Sequence, residues 1–135
     1  MMTSELAALA ALDCRSGAPR LAPDELKSRQ KALPDWQYAN DRLTKTFSFA
    51  NYYETIAFVN AVAYVAHRQD HHPDLSVHYN RVVVAYSTHD AGGVTLNDCI
   101  CAAKVEAFGR ERRRAAPRRE WRPRVWGQRS GRIDE

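Results

Sequence analysis

Residues 51–88 read NYYETIAFVNAVAYVAHRQDHHPDLSVHYNRVVVAYST, and within that stretch the apolar pattern changes from a helical to a strand period. Ile56, Val59, Val62, Ala63 and Ala66 recur at the three-and-four spacing of one helix face, with Phe58 and Val65 widening it, which predicts a long helix from Asn51. Pro73 disfavours helical backbone in the residue before it, so this helix must stop near Asp70 to His72. Beyond it, Leu75–Tyr79 and Val82–Thr88 are rich in β formers and flank Asn80-Arg81, the pattern of a hairpin.

Upstream, Pro23-Asp24-Glu25 opens a helix with proline and acids in its first turn, and the helical pattern runs through Leu33 to Pro34. Trp36-Gln37-Tyr38 and Leu43 to Phe49 are β-rich on either side of Asn40-Asp41, a first hairpin. Downstream, Gly92-Gly93 interrupts the chain, and Thr95 to Phe108 resumes a helical period through Leu96, Ile100, Ala103 and Ala107. The order α-β-β-α-β-β-α predicts an α+β fold, a four-stranded antiparallel sheet with helices packed on one face. Residues 1–20 show no sustained pattern and read as a loose leader ahead of one domain over residues 21–109.

Charge divides the chain unevenly. Residues 1–109 hold ten Lys/Arg against twelve Asp/Glu, a net of −2, and residues 110–135 hold ten Arg against four Asp/Glu, a net of +6. The arginines with Pro117 and Pro123 predict a disordered tail. Such a tail suits nucleic acid or an acidic partner, but no base-reading module accompanies it, which favours a solvated extension. The odd count of three cysteines, Cys14, Cys99 and Cys101, has neither a disulfide framework nor the Cys-x-x-Cys spacing, and is read as free thiols in a reducing compartment. Leu6 to Leu12 is too short for a membrane span and lacks the basic start of a signal peptide, so a cytoplasmic protein without membrane contact is expected.

All five histidines fall between His67 and His89, and clustered imidazoles point to proton transfer or a metal site. His67 and His71 are four apart, as ligands on one helix face would be, but the residue after His67 is Arg68, where zinc peptidases of the His-Glu-x-x-His type carry their general base. No cysteine is placed to complete a tetrahedral set, although Asp70, Asp74 or Asp90 could in principle, and acid/base use is expected rather than a metal. His71 and His72 fall at the exit of the long helix and His89 just past the last strand, positions from which a scaffold presents catalytic groups around a pocket.

Asp70-His71-His72-Pro73-Asp74, followed by Tyr79-Asn80-Arg81-Val82 and Ser87-Thr88-His89-Asp90, closely resembles the signature of the pterin-4a-carbinolamine dehydratase family. Leu33-Pro34-Asp35-Trp36, Phe47-Ser48-Phe49 and Phe58-Val59-Asn60-Ala61-Val62 extend the resemblance over about residues 21–108. It implies dehydration of 4a-hydroxytetrahydrobiopterin to quinonoid dihydropterin, which recycles the cofactor of aromatic amino acid hydroxylases. That chemistry agrees with the histidines, since expelling the hydroxyl needs an acid near the leaving oxygen and a base near the adjacent ring N–H, and no cofactor. By position the resemblance implies His71 and His89 in proton transfer and His72 in orienting the pterin. Asp70, Ser87, Thr88 and Asp90 match residues lining the substrate site, and Asp98 matches a supporting aspartate, though Asp70 as a turn acceptor and Asp98 as a helix-start residue are equally served by local structure.

The pattern is not followed everywhere: His67 stands where many relatives carry an acid and Leu75 where many carry an aromatic, and the arginine-rich tail has no counterpart. His67 reads as a peripheral helix residue and His78 as structural. The family resemblance also implies a homo-dimer or homo-tetramer. It extends to a dimerisation cofactor of a homeodomain transcription factor and to assembly chaperones, so the alternative function is a protein-binding module without turnover.

Overall fold

Asn51 starts the long helix, its side-chain oxygen accepting the backbone N–H of Glu54 at 2.9 Å. In the computed structural model, which describes residues 2–115, the elements are α1 (Ser4–Ala10), α2 (Pro23–Gln30), β1 (Gln37–Ala39), β2 (Arg42–Ser48), α3 (Tyr52–Gln69), β3 (Asp74–Val77), β4 (Arg81–Tyr86), a 3-10 turn (His89–Ala91) and α4 (Leu96–Ala115). The four strands form one antiparallel sheet in the order β1-β2-β4-β3. Asn40 and Asp41 both take positive φ, which lets two residues turn β1 into β2.

One sheet face carries the core. Val82, Val84 and Tyr86 alternate inward along β4, and Leu43 and Phe47 do so along β2, all buried with Phe58 and Val62 of α3 and Ile100 and Ala103 of α4. Between Leu43 and Phe47, Lys45 also points inward, where its Nζ donates to Glu106 at 2.7 Å and Trp36 Nε1 donates to the same carboxylate oxygen at 3.1 Å. A buried acid is thus paired with a partly buried lysine, the arrangement that makes its desolvation tolerable. Among the described residues no helix is long and apolar enough to cross a membrane.

Four expectations change. The leader contains a helix: Thr3 caps α1 by accepting the N–H of Leu6, and Leu6 and Leu9 are buried in the core alongside α4. Their three-residue spacing after a Thr-Ser-Glu start is a helix signal too short to stand out as a period. The last helix continues past Phe108 to Ala115, because Glu, Arg and Ala are good helix formers and no proline intervenes before Pro117. The first six residues assigned to a disordered tail are therefore helical; residues 116–135 lie outside the described residues. On α3 the buried stripe is Thr55, Phe58 and Val62, and Ala63 is exposed, so the inward face is centred on the phenylalanine. Finally, α2 ends at Gln30, and Ala32 and Leu33 continue in tighter three-residue bonds to Arg29 and Gln30 as Pro34 forces the chain out of the helix.

Candidate active site

The end of α3 sets the first catalytic candidate in place. Asp70 adopts the left-handed conformation with φ 51°, and the His71 N–H reaches back to the Ala66 carbonyl at 3.1 Å, closing the helix in the manner usually given to glycine. The imidazole that follows turns toward α4. His71 Nε2 lies 2.6 Å from Asp98 Oδ1, and its ring stacks on Tyr86 with a centroid distance of 6.1 Å and an interplanar angle of 10°.

Asp98 is fully buried and has both oxygens engaged. Its Oδ2 accepts the Thr95 N–H at 2.9 Å and the Thr88 hydroxyl at 2.7 Å, while Oδ1 faces His71. The Thr95 bond closes the first turn of α4 as a capping box does, so one oxygen serves the helix start while the other faces His71. The hydrogen bond donated to Asp98, reinforced by that residue's charge and by the more distant Cys14 and Asp70, raises the His71 pKa above 6.5 against the opposing effect of burial. With Nε2–H donated to the carboxylate, Nδ1 is the ring nitrogen left for proton exchange.

His71 opens on a cleft of about 630 Å³ lined by residues 14–20, 69–71 and 90–91 with Thr88 and Asn97. Half of this lining is the segment between α1 and α2, which was read as part of a leader. That segment is held down from several sides. Asn97 Oδ1 accepts the Arg15 N–H at 3.0 Å and its Nδ2 donates to the Arg15 carbonyl at 2.6 Å, Gln69 Oε1 accepts the Cys14 N–H at 2.7 Å, and Lys104 Nζ donates to the Ala10 carbonyl at 2.7 Å. At its far end Arg20 bridges to Thr95, and its guanidinium binds Asp41 at 2.7 Å. Gly93 lies under Arg20: a Cβ there would meet Arg20 Nε at 2.8 Å. The only sequence signal for this strap was the Leu6, Leu9 pair that anchors its start.

The remaining predicted residues separate into two groups. Asp70, Thr88 and Asp90 line the cleft with His71. His72, His89 and Ser87 do not line it; His72 and His89 are exposed, His89 on the 3-10 turn that a Thr88–Gly93 bridge closes and that Gly92 ends at φ 76°. The structure therefore brings one imidazole of the three to the cleft and leaves the other two outside its lining. His67 is exposed, and His78 is exposed and paired with Ser76 at 2.9 Å. Among the described residues no three His, Cys, Asp or Glu side chains are grouped to hold a metal ion.

A family model described as pterin 4 alpha carbinolamine dehydratase matches residues 19–108. The chain belongs to this family. A Chromobacterium violaceum protein whose name gives it the pterin-4-alpha-carbinolamine dehydratase activity provisionally is 60% identical over 94 residues, covering 70% of this chain and 87% of the relative. A relative from Nitrosomonas eutropha with the same provisional name is 53% identical over 94 residues, covering 69% and 83%. Among solved structures, one titled transcriptional coactivator/pterin dehydratase from Brucella melitensis superposes with a TM-score of 0.64 at 34% identity, covering 67% of this chain and 98% of that one. The match to the dehydratase family begins at residue 19, so α1 and most of the strap lie outside the matched segment.

Proposed function

We propose that this protein is a 4a-hydroxytetrahydrobiopterin dehydratase, converting a pterin-4a-carbinolamine to quinonoid dihydropterin and water. The observation that carries this reading is the His71–Asp98 pair at 2.6 Å on the cleft, an imidazole with a raised pKa and one free ring nitrogen. A protonated His71 gives its Nδ1 proton to the departing hydroxyl as the C–O bond breaks. His89 takes the proton from the adjacent ring N–H as the C=N bond forms, so the site ends with its proton count unchanged. His72 orients the ring, and Asp70, Thr88, Asp90 and Ser87 supply hydrogen-bonding groups around it. Exposed His72 and His89 fit a rim position, from which they meet a ring seated in the cleft. Neither metal nor organic cofactor enters this step.

The family assignment supports the substrate class, a reduced pterin, and a functional link to an aromatic amino acid hydroxylase. A homo-dimer or homo-tetramer is part of the same reading; exposed Tyr53 and Tyr64 on α3 give an assembly apolar surface to cover. Stopped-flow turnover of a synthetic carbinolamine by wild type and by His71→Ala, His72→Ala and His89→Ala tests the proposal. At least about a hundredfold loss is expected at His71 and His89. Rates equal to the uncatalysed reaction in the wild type itself would leave a protein-binding module as the function of this chain.

A further inference from the structure

The strap carries a nucleophile that the dehydration chemistry does not use. Cys14 lines the cleft, half-buried, and its Sγ lies 3.5 Å from Sγ of Cys101, a fully buried residue on α4, 87 positions away in sequence. Cys14 is held there independently of the sulfur contact, by its backbone N–H on Gln69 and by the Asn97 clamp on the next residue. A disulfide needs the two sulfurs to approach by about a further 1.5 Å, and the element that must move is a loop rather than a helix.

We propose that Cys14 and Cys101 are a two-thiol oxidation site that closes to a disulfide on reaction with hydrogen peroxide. In the first step Cys14 thiolate attacks the peroxide oxygen, the O–O bond breaks, and hydroxide leaves to be protonated to water, giving a Cys14 sulfenic acid. In the second, the Cys101 sulfur displaces hydroxide from the sulfenic sulfur; the Cys101 proton joins it as the second water, and the S–S bond forms. Two thiols are oxidised, one peroxide is reduced to two waters, and no other redox partner is required.

The surroundings divide the two roles. The hydrogen-bonding contact between the two sulfurs lowers the Cys14 thiol despite its partial burial, with His71 and Lys104 adding positive charge, while the same contact and burial raise Cys101. The attacking sulfur is therefore the one that opens on the cleft, and the resolving sulfur is the one sealed behind it. Cys99 lies two positions along α4, about 200° around the helix from Cys101, and burial pushes its thiol up to about 12. It serves as an internal control. Closing the bond tethers the middle of the strap to α4, fixing one side of the cleft covalently; none of this depends on which substrate the cleft takes.

The experiment uses the full-length protein treated with hydrogen peroxide near neutral pH, alkylated, digested without reductant and read by mass spectrometry. A peptide pair joined through Cys14 and Cys101 is expected to form at least about tenfold faster than the Cys99 thiol is lost, and to disappear on adding dithiothreitol. Cys14→Ser is expected to abolish the cross-link, and Cys101→Ala to leave Cys14 as a sulfenic acid trapped by dimedone. Should Cys101→Ala fail to fold, the Cys14→Ser result and the wild-type peptide map decide alone. Over-oxidation of Cys14 to sulfinic acid without a cross-link, a cross-link that includes Cys99, or Cys14 still alkylated at the untreated level would overturn the proposal.

Discussion

His71 Nε2 and Asp98 Oδ1 lie 2.6 Å apart, and the second oxygen of the same carboxylate starts α4, so one buried side chain sets both an imidazole's charge and a helix's first turn. Asp98→Asn keeps the shape and removes the charge. His71 is then expected to titrate lower than in the wild type, since burial is no longer outweighed by the carboxylate, and the alkaline limb of the dehydration profile to move down in pH with it, with a rate loss of about tenfold to a hundredfold at neutral pH. Histidine NMR titration and stopped-flow rates across pH check this. A variant that is merely less stable, with His71 titrating as in the wild type, would reduce Asp98 to a helix cap.

The same pair makes stability depend on pH in a defined direction. Because folding raises the His71 pKa, its contribution is fully present below the unfolded value of about 6.5 and is lost as pH rises through the folded value. Urea unfolding of the wild type minus that of His71→Asn, followed from pH 5 to pH 9, is expected to shrink toward alkaline pH. A difference that grows with pH would reverse the assignment of charge.

Leu6 is 1% exposed, on a helix outside the segment the family model matches. Leu6→Ala is expected to cost about 2–4 kcal/mol, seen as a lower urea midpoint with an unchanged slope. A change below about 0.5 kcal/mol would mean that α1 is not docked in solution.

Tyr86 is fully buried, and its hydroxyl has no hydrogen-bond partner among the described residues. Burial raises its pKa, so it stays a neutral phenol beside His71. Tyr86→Phe keeps the ring stacked on His71 and removes an unsatisfied polar group; stability is expected to hold or rise by up to about 1 kcal/mol. Thermal unfolding decides it, and a loss of more than about 1 kcal/mol would point to a partner for that hydroxyl.

Deleting residues 116–135 is expected to leave turnover of a carbinolamine within about twofold of the full chain, since the cleft is lined by residues between 14 and 97. Stopped-flow rates of the two proteins compare directly. A tenfold loss would place the arginine-rich segment in the site or in its assembly.

The hairpins and α3 were legible because each announces itself twice, by its own period and by punctuation at its ends: Asn51 before α3, Pro73 after it, Asn40-Asp41 within the first hairpin. What local pattern could not supply was anything set by contacts distant in sequence. Leu6 and Leu9 make a two-residue signal whose meaning comes from α4, some ninety residues on. Nothing near Arg15 announces that Asn97 binds both its N–H and its carbonyl. Asp98 was legible as a candidate through the family pattern, but local reading could not choose between capping and catalysis, because that choice rests on which atoms the other end of the chain brings to each oxygen. His72 and His89 were legible by motif alone, and motif does not fix whether a side chain enters the cleft.

Gly93 and Arg20 stand seventy-three positions apart, yet they occupy one space, and Arg20 in turn grips Asp41. Anyone redesigning the loop around His89 inherits that dependence. Enlarging position 93 displaces the arginine side chain, which loosens the strap from the first hairpin, and trimming position 20 in the same variant relieves the crowding without restoring the Asp41 ion pair. The pair should accordingly behave as a single mutable unit, with strong epistasis measurable in a double-mutant cycle despite neither residue being an acid or base of the reaction.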